Sequence, residues 1–316
     1  RYEAQDRPLF EAKVKALCSD CEIIYSNADQ DAAKQQSQAE AALTNGAKVM
    51  VLDPVDSASA GAMVQKAKAK NVPVISYDRL ILNADVDYYI SFDNEKVGQL
   101  QGTALVDKLK GDGKSGSIVM INGAPTDNNA KLFKQGAHSV IDSSGFKVAK
   151  EYDTPDWSPD KAQTEMEQAI TAVGKTGFQG VYVANDGMAG GAIAAMKGQG
   201  IKPSTRPTTG QDAEVAGLQR ILTGDQLMTV YQPIKKIAST AAELAVDLVN
   251  GKRADADKLA TAKVNNGQKD VPSVLLDTVV VTKDNIKDTV IADGFTKASE
   301  LCTGPYQKDC AAAGIS

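Results

Sequence analysis

Short apolar runs rich in β-branched residues alternate with segments of helical periodicity along the chain. A clear example is the run Lys-Val-Met-Val-Leu at 48–52, which lies between two segments with helical spacing of apolar residues. This alternation is typical of repeated βαβ units and parallel sheets. The sequence therefore predicts an α/β fold.

Two series of strand and helix patterns follow each other, separated by the Gly-rich stretch at 111–116, where we place a crossing between two lobes. Each series predicts a doubly wound lobe. The first helix has no strand before it, although such sheets usually begin with one, so we expect residues upstream of Arg1. The predicted strands are 22–25, 48–52, 72–76, 88–92, 117–121, 146–152, 180–184, 207–210, 227–231 and 274–281, and the predicted helices are 8–17, 31–44, 57–70, 94–109, 129–141, 159–173, 187–198, 213–222 and 234–250.

Size and charge narrow the class of protein. A chain of 316 residues corresponds to two domains of ordinary length. Lys and Arg number 35 against 40 Asp and Glu, which gives a net charge of −5 and no basic block. This balance argues against nucleic-acid binding. No apolar run reaches the length needed to span a bilayer.

The cysteines and the histidine limit the chemistry. The four Cys form two local pairs, Cys18 with Cys21 and Cys302 with Cys310, which suits disulfides in an oxidising, extracytoplasmic compartment. A zinc site or a thiol redox pair is the alternative, but zinc needs converging ligands, and the single His138 has no cysteine near it in sequence. One histidine also leaves the common catalytic triads nearly unavailable. We therefore expect no metal and no enzyme activity.

A Gly-x-Gly-x-x-Gly pattern at 111–116 matches the dinucleotide fingerprint by letters. It follows a predicted helix and precedes a strand, whereas phosphate binding needs the glycines after a strand and at the start of a helix. We interpret it as a linker and expect no cofactor.

Polar residues recur directly after the predicted strands, where ligands bind in parallel sheets. Each of Asp53, Asp93 and Asp186 taken alone is also explained as a helix cap. Carboxylates, carboxamides and a guanidinium match the hydroxyl groups of a neutral polyol, and an aromatic ring such as Trp157 matches the apolar face of a sugar. The residues after the strands include Asp53, Tyr77, Asp78, Arg79, Asp127, Asn128, Asn129, Asn185, Asp186, Gln211, Asp212 and Gln232.

Longer motifs carry a family resemblance. They are Tyr77-Asp78-Arg79, ISFDNEKVG at 90–98, DNNAKLF at 127–133, GQDA at 210–213, MTVY at 228–231 and NNG at 265–267. The chain strongly resembles the bacterial D-xylose-binding proteins of ABC sugar importers, from Arg1 to about Leu301. The paired cysteines and the C-terminal tail resemble lipoprotein relatives of Gram-positive bacteria.

The resemblance implies two doubly wound Rossmann-like lobes with parallel sheets, joined by a three-crossing hinge, as in type I periplasmic binding proteins. We expect residues 1–111 plus 234–271 in the first lobe and 112–233 plus 272–316 in the second. The family closes over one monosaccharide in the interlobe cleft, so the ligand would shift an equilibrium between open and closed states.

The resemblance also implies the binding residues. Arg79 with Asp78 would bind sugar from the first lobe, and Arg1 resembles the family's N-terminal sugar-binding arginine, with Tyr2 where a tryptophan is usual. Gln232 stands where the xylose binders carry a lysine, so the sugar could be D-xylose, D-glucose or another pyranose. From the second lobe and the hinge side, the implied residues are Asp127, Asn129, Trp157, Asn185 and Asp212.

The two-lobed arrangement bears on the disulfides, and the resemblance implies the partner and the location. A bond across the lobes would hinder opening, so we expect Cys18–Cys21 and Cys302–Cys310. The expected partner is an ABC permease, with a monomeric binding protein in the periplasm or lipid-anchored at the outer face of the membrane. The alternatives are the effector-binding portion of a LacI-type regulator and a glycoside hydrolase, whose paired carboxyl groups flank the bond that is cut.

Overall fold

Parallel strands flanked by helices occur in two separate units of the chain, as the alternating pattern predicts. The computed structural model describes residues 1–315. Neither unit is continuous in sequence. The first consists of Arg1–Asp93, Thr126–Asn129 and Pro233–Asp277, and the second of Asn94–Pro125, Ala130–Gln232 and Thr278–Ser316, the last residue lying outside the described part.

The first unit is built on a five-stranded sheet in the order β1-β2-β3-β9-β8, parallel except for β8, which pairs antiparallel with β9. Strands β2 and β3 are buried throughout and read as continuous apolar runs, as expected for strands covered on both faces. The elements of this unit are α1 (Arg7–Leu17), α2 (Ala32–Thr44), β1 (Met50–Leu52), α3 (Gly61–Ala69), β2 (Val74–Tyr77), β3 (Tyr88–Phe92), α9 (Ile234–Val249), α10 (Arg253–Leu259), β8 (Ala262–Asn265) and β9 (Asp270–Leu276).

The second unit has a parallel sheet in the order β5-β4-β6 and an antiparallel pair β7-β10. Single parallel bridges, Val181 to Thr208 and Gln211 to Val230, connect the segment at 207–211 to β6 and β7. The elements are α4 (Asn94–Gly111), β4 (Ser117–Asn122), α5 (Asn128–Ile141), β5 (Lys147–Asp153), α6 (Pro159–Val173), β6 (Gly180–Val183), α7 (Asp186–Gly198), α8 (Val215–Thr223), β7 (Thr229–Tyr231), β10 (Val279–Val281), α11 (Ala298–Leu301) and α12 (Gln307–Ala312), where α5 takes its first two residues from the first unit.

Three predicted strands are wrong. Residues 22–25 form no strand within the described chain, and the side chains of Ile23 and Ile24 are 39% and 50% exposed. The segment at 207–210 hydrogen-bonds to β6 on one side and to residues 227–230 on the other, but it forms single bridges and no regular strand. The predicted strand 274–281 is two strands: β9 pairs with β3, whereas β10 pairs with β7 in the other unit. An apolar run becomes a strand only where a neighbouring backbone pairs with it, and the run alone does not reveal that neighbour.

The predicted crossing at 111–116 is also wrong, and with it the boundaries 1–111 and 112–233. The chain leaves the first unit after Asp93, so that α4 belongs to the second unit. The reason is the apolar face of α4: Val97, Leu105 and Leu109 are buried in the same core as β4 and β6. The chain returns to the first unit at Pro233 and leaves it after Asp277, where the prediction had 234 and 271.

Both expected disulfides are present, Cys18–Cys21 in the first unit and Cys302–Cys310 in the second. Cys310 is buried against α8 and the C-terminal helices, so the second bond belongs to a packed core. Among the described helices, none combines the length and the apolar character needed to cross a membrane.

Candidate functional site

The first group of polar residues lies where β2 ends. Asp78 has a φ of +59°. Its backbone N–H donates to the carbonyl of Ile90 at 2.8 Å, and its own carbonyl accepts from the Ser91 hydroxyl at 2.6 Å. The amide of Asn129 donates to the same carbonyl at 3.1 Å. These bonds hold a left-handed backbone that a non-glycine residue rarely adopts.

Arg79 is the centre of this group and is 7% exposed. Its Nε lies 3.0 Å from Oδ2 of Asp127 and 3.7 Å from Oδ1 of Asp53. Its Nη1 donates to the carbonyl of Pro54 at 3.3 Å. Burial alone would lower the pKa of Arg79, but the surrounding groups, Tyr2 and Asp127 first among them, raise it above the usual value. The guanidinium therefore stays charged and fixed in one orientation.

Asp53 was explained from sequence as a helix cap, and this is wrong. No helix begins beside it, and its carboxyl faces Arg79 with about a quarter (24%) of the side chain exposed. Burial, reinforced by the charges of Asp78 and Asp127, raises the pKa of Asp53 to about 8, while Arg79 opposes this shift. Its Oδ1 has no hydrogen-bond partner among the described residues. A carboxyl that keeps its proton near neutral pH can donate a hydrogen bond as well as accept one.

The N-terminal residues pack onto the same group. The Tyr2 hydroxyl donates to Oδ2 of Asp78 at 2.5 Å, and Nη2 of Arg1 lies 3.3 Å from Oδ1 of Asp78. Asp6 pairs with Arg1 at 3.2 Å and accepts from the Tyr77 hydroxyl at 2.5 Å. Burial raises the pKa of Tyr2, so its hydroxyl remains a donor. Sequence reasoning collected Asp53 among the polar residues after strands and noted Tyr2 beside Arg1, but it did not point to Asp6.

Asp127 and Asn129 lie in the first unit, not in the second as expected, because the segment Thr126–Asn129 packs beside β2. Asp127 Oδ1 accepts from the backbone N–H of Asn129 at 2.8 Å, while Oδ2 faces Arg79. The segment therefore brings a carboxylate and an amide to the end of β2. The structure thus gathers Arg1, Asp78, Arg79, Asp127 and Asn129 around one point. A cavity of about 710 Å³ in the same unit reaches Tyr2, Asp53 and Arg79.

The second group lies at the carboxyl ends of strands in the second unit. Asn185 follows β6 and caps α7, because its Oδ1 accepts from the N–H of Met188 at 3.0 Å. Asp212 follows the segment at 207–211, has a φ of +97°, and accepts at Oδ1 from the Gln211 amide at 2.8 Å. Gln232 follows β7 and is buried. These positions agree with the rule that ligand groups collect beyond strand ends.

Trp157 belongs to the loop after β5 and has a φ of +55°. Its indole packs edge-on against Phe133, with ring centroids 6.2 Å apart. The ring also lies against Gly123 at the end of β4, where an added Cβ would stand 2.1 Å from Cη2 of the indole. The absence of a side chain at Gly123 is what allows the indole to lie there.

The two groups offer complementary chemistry. The first has carboxyl groups, a carboxamide and guanidinium groups, and the second has a carboxylate, carboxamides and an indole, a set that matches the hydroxyls and the apolar face of a sugar. No set of three or more metal-ligating side chains converges among residues 1–315.

Comparison with known proteins agrees with this chemistry. The model of the periplasmic binding protein domain matches residues 1–253. The D-xylose-binding periplasmic protein of Escherichia coli is 43% identical over 301 residues, which cover 94% of this chain and 88% of that protein. The multiple sugar-binding periplasmic receptor ChvE of Rhizobium radiobacter is 35% identical, covering 85% of this chain and 79% of the receptor.

Among solved structures, an ABC transporter solute-binding protein of Clostridium phytofermentans with bound β-D-glucose is 30% identical. The two structures superpose with a TM-score of 0.85, and the match covers 95% of this chain and 96% of the other. The expected fold class and family resemblance are therefore confirmed. The chain belongs to the periplasmic binding protein family.

Proposed function

We propose that this chain is the sugar-binding component of an ABC importer, with D-xylose as the first ligand and D-glucose as the second. The observation that carries the proposal is the group around Arg79, in which Asp78, Asp127 and Asn129 converge, in a chain 43% identical to a D-xylose-binding protein. Its relatives are binding proteins and not enzymes, and this chain is a binding protein too.

The side chains suit a neutral pyranose. Each sugar hydroxyl offers one donor and two acceptor lone pairs, and the planar groups of Arg79 and Asp127 can each hold two neighbouring oxygens. We propose that both groups, Arg1, Asp78, Arg79, Asp127 and Asn129 together with Trp157, Asn185, Asp212 and Gln232, bind the same monosaccharide. Micromolar affinity requires about 8 kcal/mol. About eight hydrogen bonds, each of roughly 0.5–1.5 kcal/mol and of about 1.5–3 kcal/mol where a charged group takes part, together with ring contact to the indole, can supply that after ordering costs.

Gln232 bears on the choice of sugar. The resemblance places a lysine at this position in the xylose binders, and a glutamine replaces its charge with an amide that both donates and accepts. A buried amide satisfies one hydroxyl in either orientation. This supports a site in which D-glucose follows D-xylose closely, as the glucose-bound structural neighbour also suggests.

The cellular setting belongs to the same proposal. The chain would work as a monomer outside the cytoplasm, free in the periplasm or held by a lipid anchor, and would deliver sugar to the permease of an ABC transporter. Support comes from the family of periplasmic proteins to which it belongs and from two disulfides, which persist in oxidising compartments.

Isothermal titration calorimetry with D-xylose, D-glucose, L-arabinose, D-ribose and D-galactose tests the proposal. We expect D-xylose to bind with a dissociation constant near the micromolar range and to raise the melting temperature without being consumed. An absence of heat with all five sugars would reject the proposal. Aryl glycosides serve as the control for catalysis, and their turnover would favour a hydrolase.

A further inference from the structure

Asp186 is a carboxylate with no exposed surface at the start of α7. Its Oδ1 accepts from the Gln226 amide at 2.6 Å. Its Oδ2 accepts from the Thr229 hydroxyl at 2.9 Å and from the backbone N–H of Glu214 at 3.0 Å. It was explained from sequence as a cap, but Asn185 caps this helix, and the side chain of Asp186 turns inward instead.

The backbone of Asp186 is bound to the same region. Its N–H donates to the carbonyl of Gln211 at 2.9 Å. Its carbonyl accepts from Nη2 of Arg220 at 2.6 Å, and Nε of Arg220 donates to Gln226 Oε1 at 3.0 Å. Asp186 therefore holds the loop at 211 and again at 214, on either side of Asp212.

The loop between those two points has an unfavourable backbone. Asp212 and Ala213 have φ values of +97° and +51°. Such conformations persist in non-glycine residues only where surrounding bonds impose them. The N–H of Ala213 donates to the Thr229 hydroxyl at 3.1 Å, and that hydroxyl donates to Asp186. These hydrogen bonds therefore connect Asp186, through Thr229, to Ala213, the second of the two residues with positive φ.

The backbone at two glycines lies directly against the carboxyl group of Asp186. A Cβ at Gly210 would lie 2.0 Å from Oδ1 of Asp186, and one at Gly217 would lie 2.4 Å from Oδ2. Both positions therefore accept only glycine while Asp186 keeps its place. The loop and α8 are fitted to this side chain from two directions.

Burying the carboxyl of Asp186 costs free energy, so core stability alone does not account for this residue. Burial raises the pKa of its carboxyl to about 8, Glu214 and Asp212 add to the shift, and Gln226 and Arg220 oppose it. All three groups that face its oxygens are donors, which favour the ionised form and therefore act against the effect of burial. A well-packed apolar residue usually stabilises a core at least as well as a buried charge.

We propose that Asp186 is a positioning residue that sets the backbone of Asp212 so that the Asp212 carboxylate faces the sugar. Asp186 itself does not touch the ligand. This inference rests on the proposed function, because it assigns to Asp212 a contact with the sugar.

A double-mutant cycle read by calorimetry tests it. Asp186→Asn places an amide N–H against a donor, and we expect sugar affinity to fall at least about tenfold. In an Asp212→Ala background the same change should alter affinity less than about twofold, because the two residues act through one contact. In a Trp157→Ala background, Asp186→Asn should again lower sugar affinity at least about tenfold. Equal losses in both backgrounds would show a general structural role and overturn the inference.

Two controls keep the test decisive. Lys197→Ala changes an exposed side chain of the same helix, paired with Asp225, and should leave affinity unchanged. If Asp186→Asn does not fold, two variants of Thr229 replace it. Thr229→Val removes the hydroxyl that donates to Asp186 and should lower sugar affinity, whereas Thr229→Ser keeps that hydroxyl and should retain the affinity. A wild-type protein that binds no sugar refutes the proposed function, whereas a wild type that binds and an Asp186→Asn variant that binds equally refute only this inference.

Discussion

At the scale of single residues, backbone strain coincides with the candidate site. Asp78, Trp157 and Asp212 have φ values of +59°, +55° and +97°. A conformation of this kind costs about 1–3 kcal/mol and is concentrated where function requires a fixed side chain. Three predicted binding residues therefore share a property that no composition or spacing reveals. Six other described non-glycine residues also have positive φ, so this conformation supports the assignment only together with the positions of the three residues after strands.

The ring of Trp157 gives the first prediction. Trp157→Ala should weaken the best sugar ligand at least about tenfold, or 1.4 kcal/mol, because flat apolar contact with the ring is lost. Calorimetry of the folded variant measures this loss. Tyr25→Ala, at an aromatic residue that is 38% exposed, is the matched control and should leave affinity unchanged.

Arg79 gives the second prediction. Arg79→Lys keeps the charge but replaces a planar fork that faces Asp127, Asp53 and the Pro54 carbonyl. A single ammonium cannot reproduce that geometry, so sugar affinity should fall about tenfold or more. Arg7→Lys, on the exposed side of α1, is the control. Retained affinity in Arg79→Lys would argue against a directional role for this guanidinium.

The protonation of Asp53 gives the third prediction. Its pKa is raised to about 8 in the folded protein against 3.8 as the ordinary value. The stability gained from holding the proton is therefore present below pH 4 and is lost as pH rises through about 8. Asp53→Asn removes this titration. The free energy of unfolding of the variant should therefore fall less between pH 5 and 9 than that of the wild type. Urea unfolding at several pH values measures the difference, and parallel curves would contradict the shift.

Sequence reasoning placed some polar residues where the structure has them and misassigned others, for a physical reason. Position after a strand pointed to Arg79 and Asp212 as candidates, because the carboxyl ends of parallel strands lie at one edge of a sheet. The same position made Asp53 and Asp186 equally good caps. Only the structure shows that Asn185 takes the cap and that Asp53 turns toward Arg79. Whether a short polar side chain points inward or outward depends on packing against residues distant in sequence, which the local sequence does not reveal.

At the scale of elements, amphipathic helices were predicted well and paired strands less well. The helix predicted over 159–173 is observed as Pro159–Val173, because its apolar face and its Ser158 cap are local features. Residues 22–25 have the composition of a strand but lack a ladder, since pairing depends on a distant segment. The same dependence divides 274–281 between two sheets.

The contact between α4 and α5 gives the fourth prediction. A Cβ at Gly98 would lie 1.9 Å from the carbonyl oxygen of Phe133, and one at Gly136 would lie 2.0 Å from that of Glu95. Gly98→Ala should therefore lower the free energy of unfolding by about 2 kcal/mol or more, despite the better helix propensity of alanine. Gly111→Ala, where nothing lies within 4 Å, is the control in the same helix and should be neutral or slightly stabilising. Chemical denaturation compares the two.

At the scale of the whole molecule, each disulfide stays within one unit and closes a short loop, with sequence separations of 3 and 8. Short loops constrain the unfolded chain less than long ones. The bonds therefore stabilise local structure and place no covalent link between the units.

This arrangement gives the fifth prediction. Reduction with dithiothreitol should lower the melting temperature but change the sugar dissociation constant by no more than about twofold, because no candidate binding residue lies in either loop. Calorimetry and thermal unfolding of the reduced protein test this. A large loss of affinity with retained fold would show that a disulfide shapes the site.

The discontinuity of the first unit has a consequence for how the protein is made. Its strand β9 lies between β3 and β8 but consists of Asp270–Leu276, near the end of the chain. The main core of the second unit is assembled from residues between Val97 and Val230. During synthesis, the sheet of the first unit therefore stays incomplete while the residues that form the core of the second unit are made. The sheet of the first unit is therefore completed only after residues 270–276 have been made, later than the residues that form the main core of the second unit.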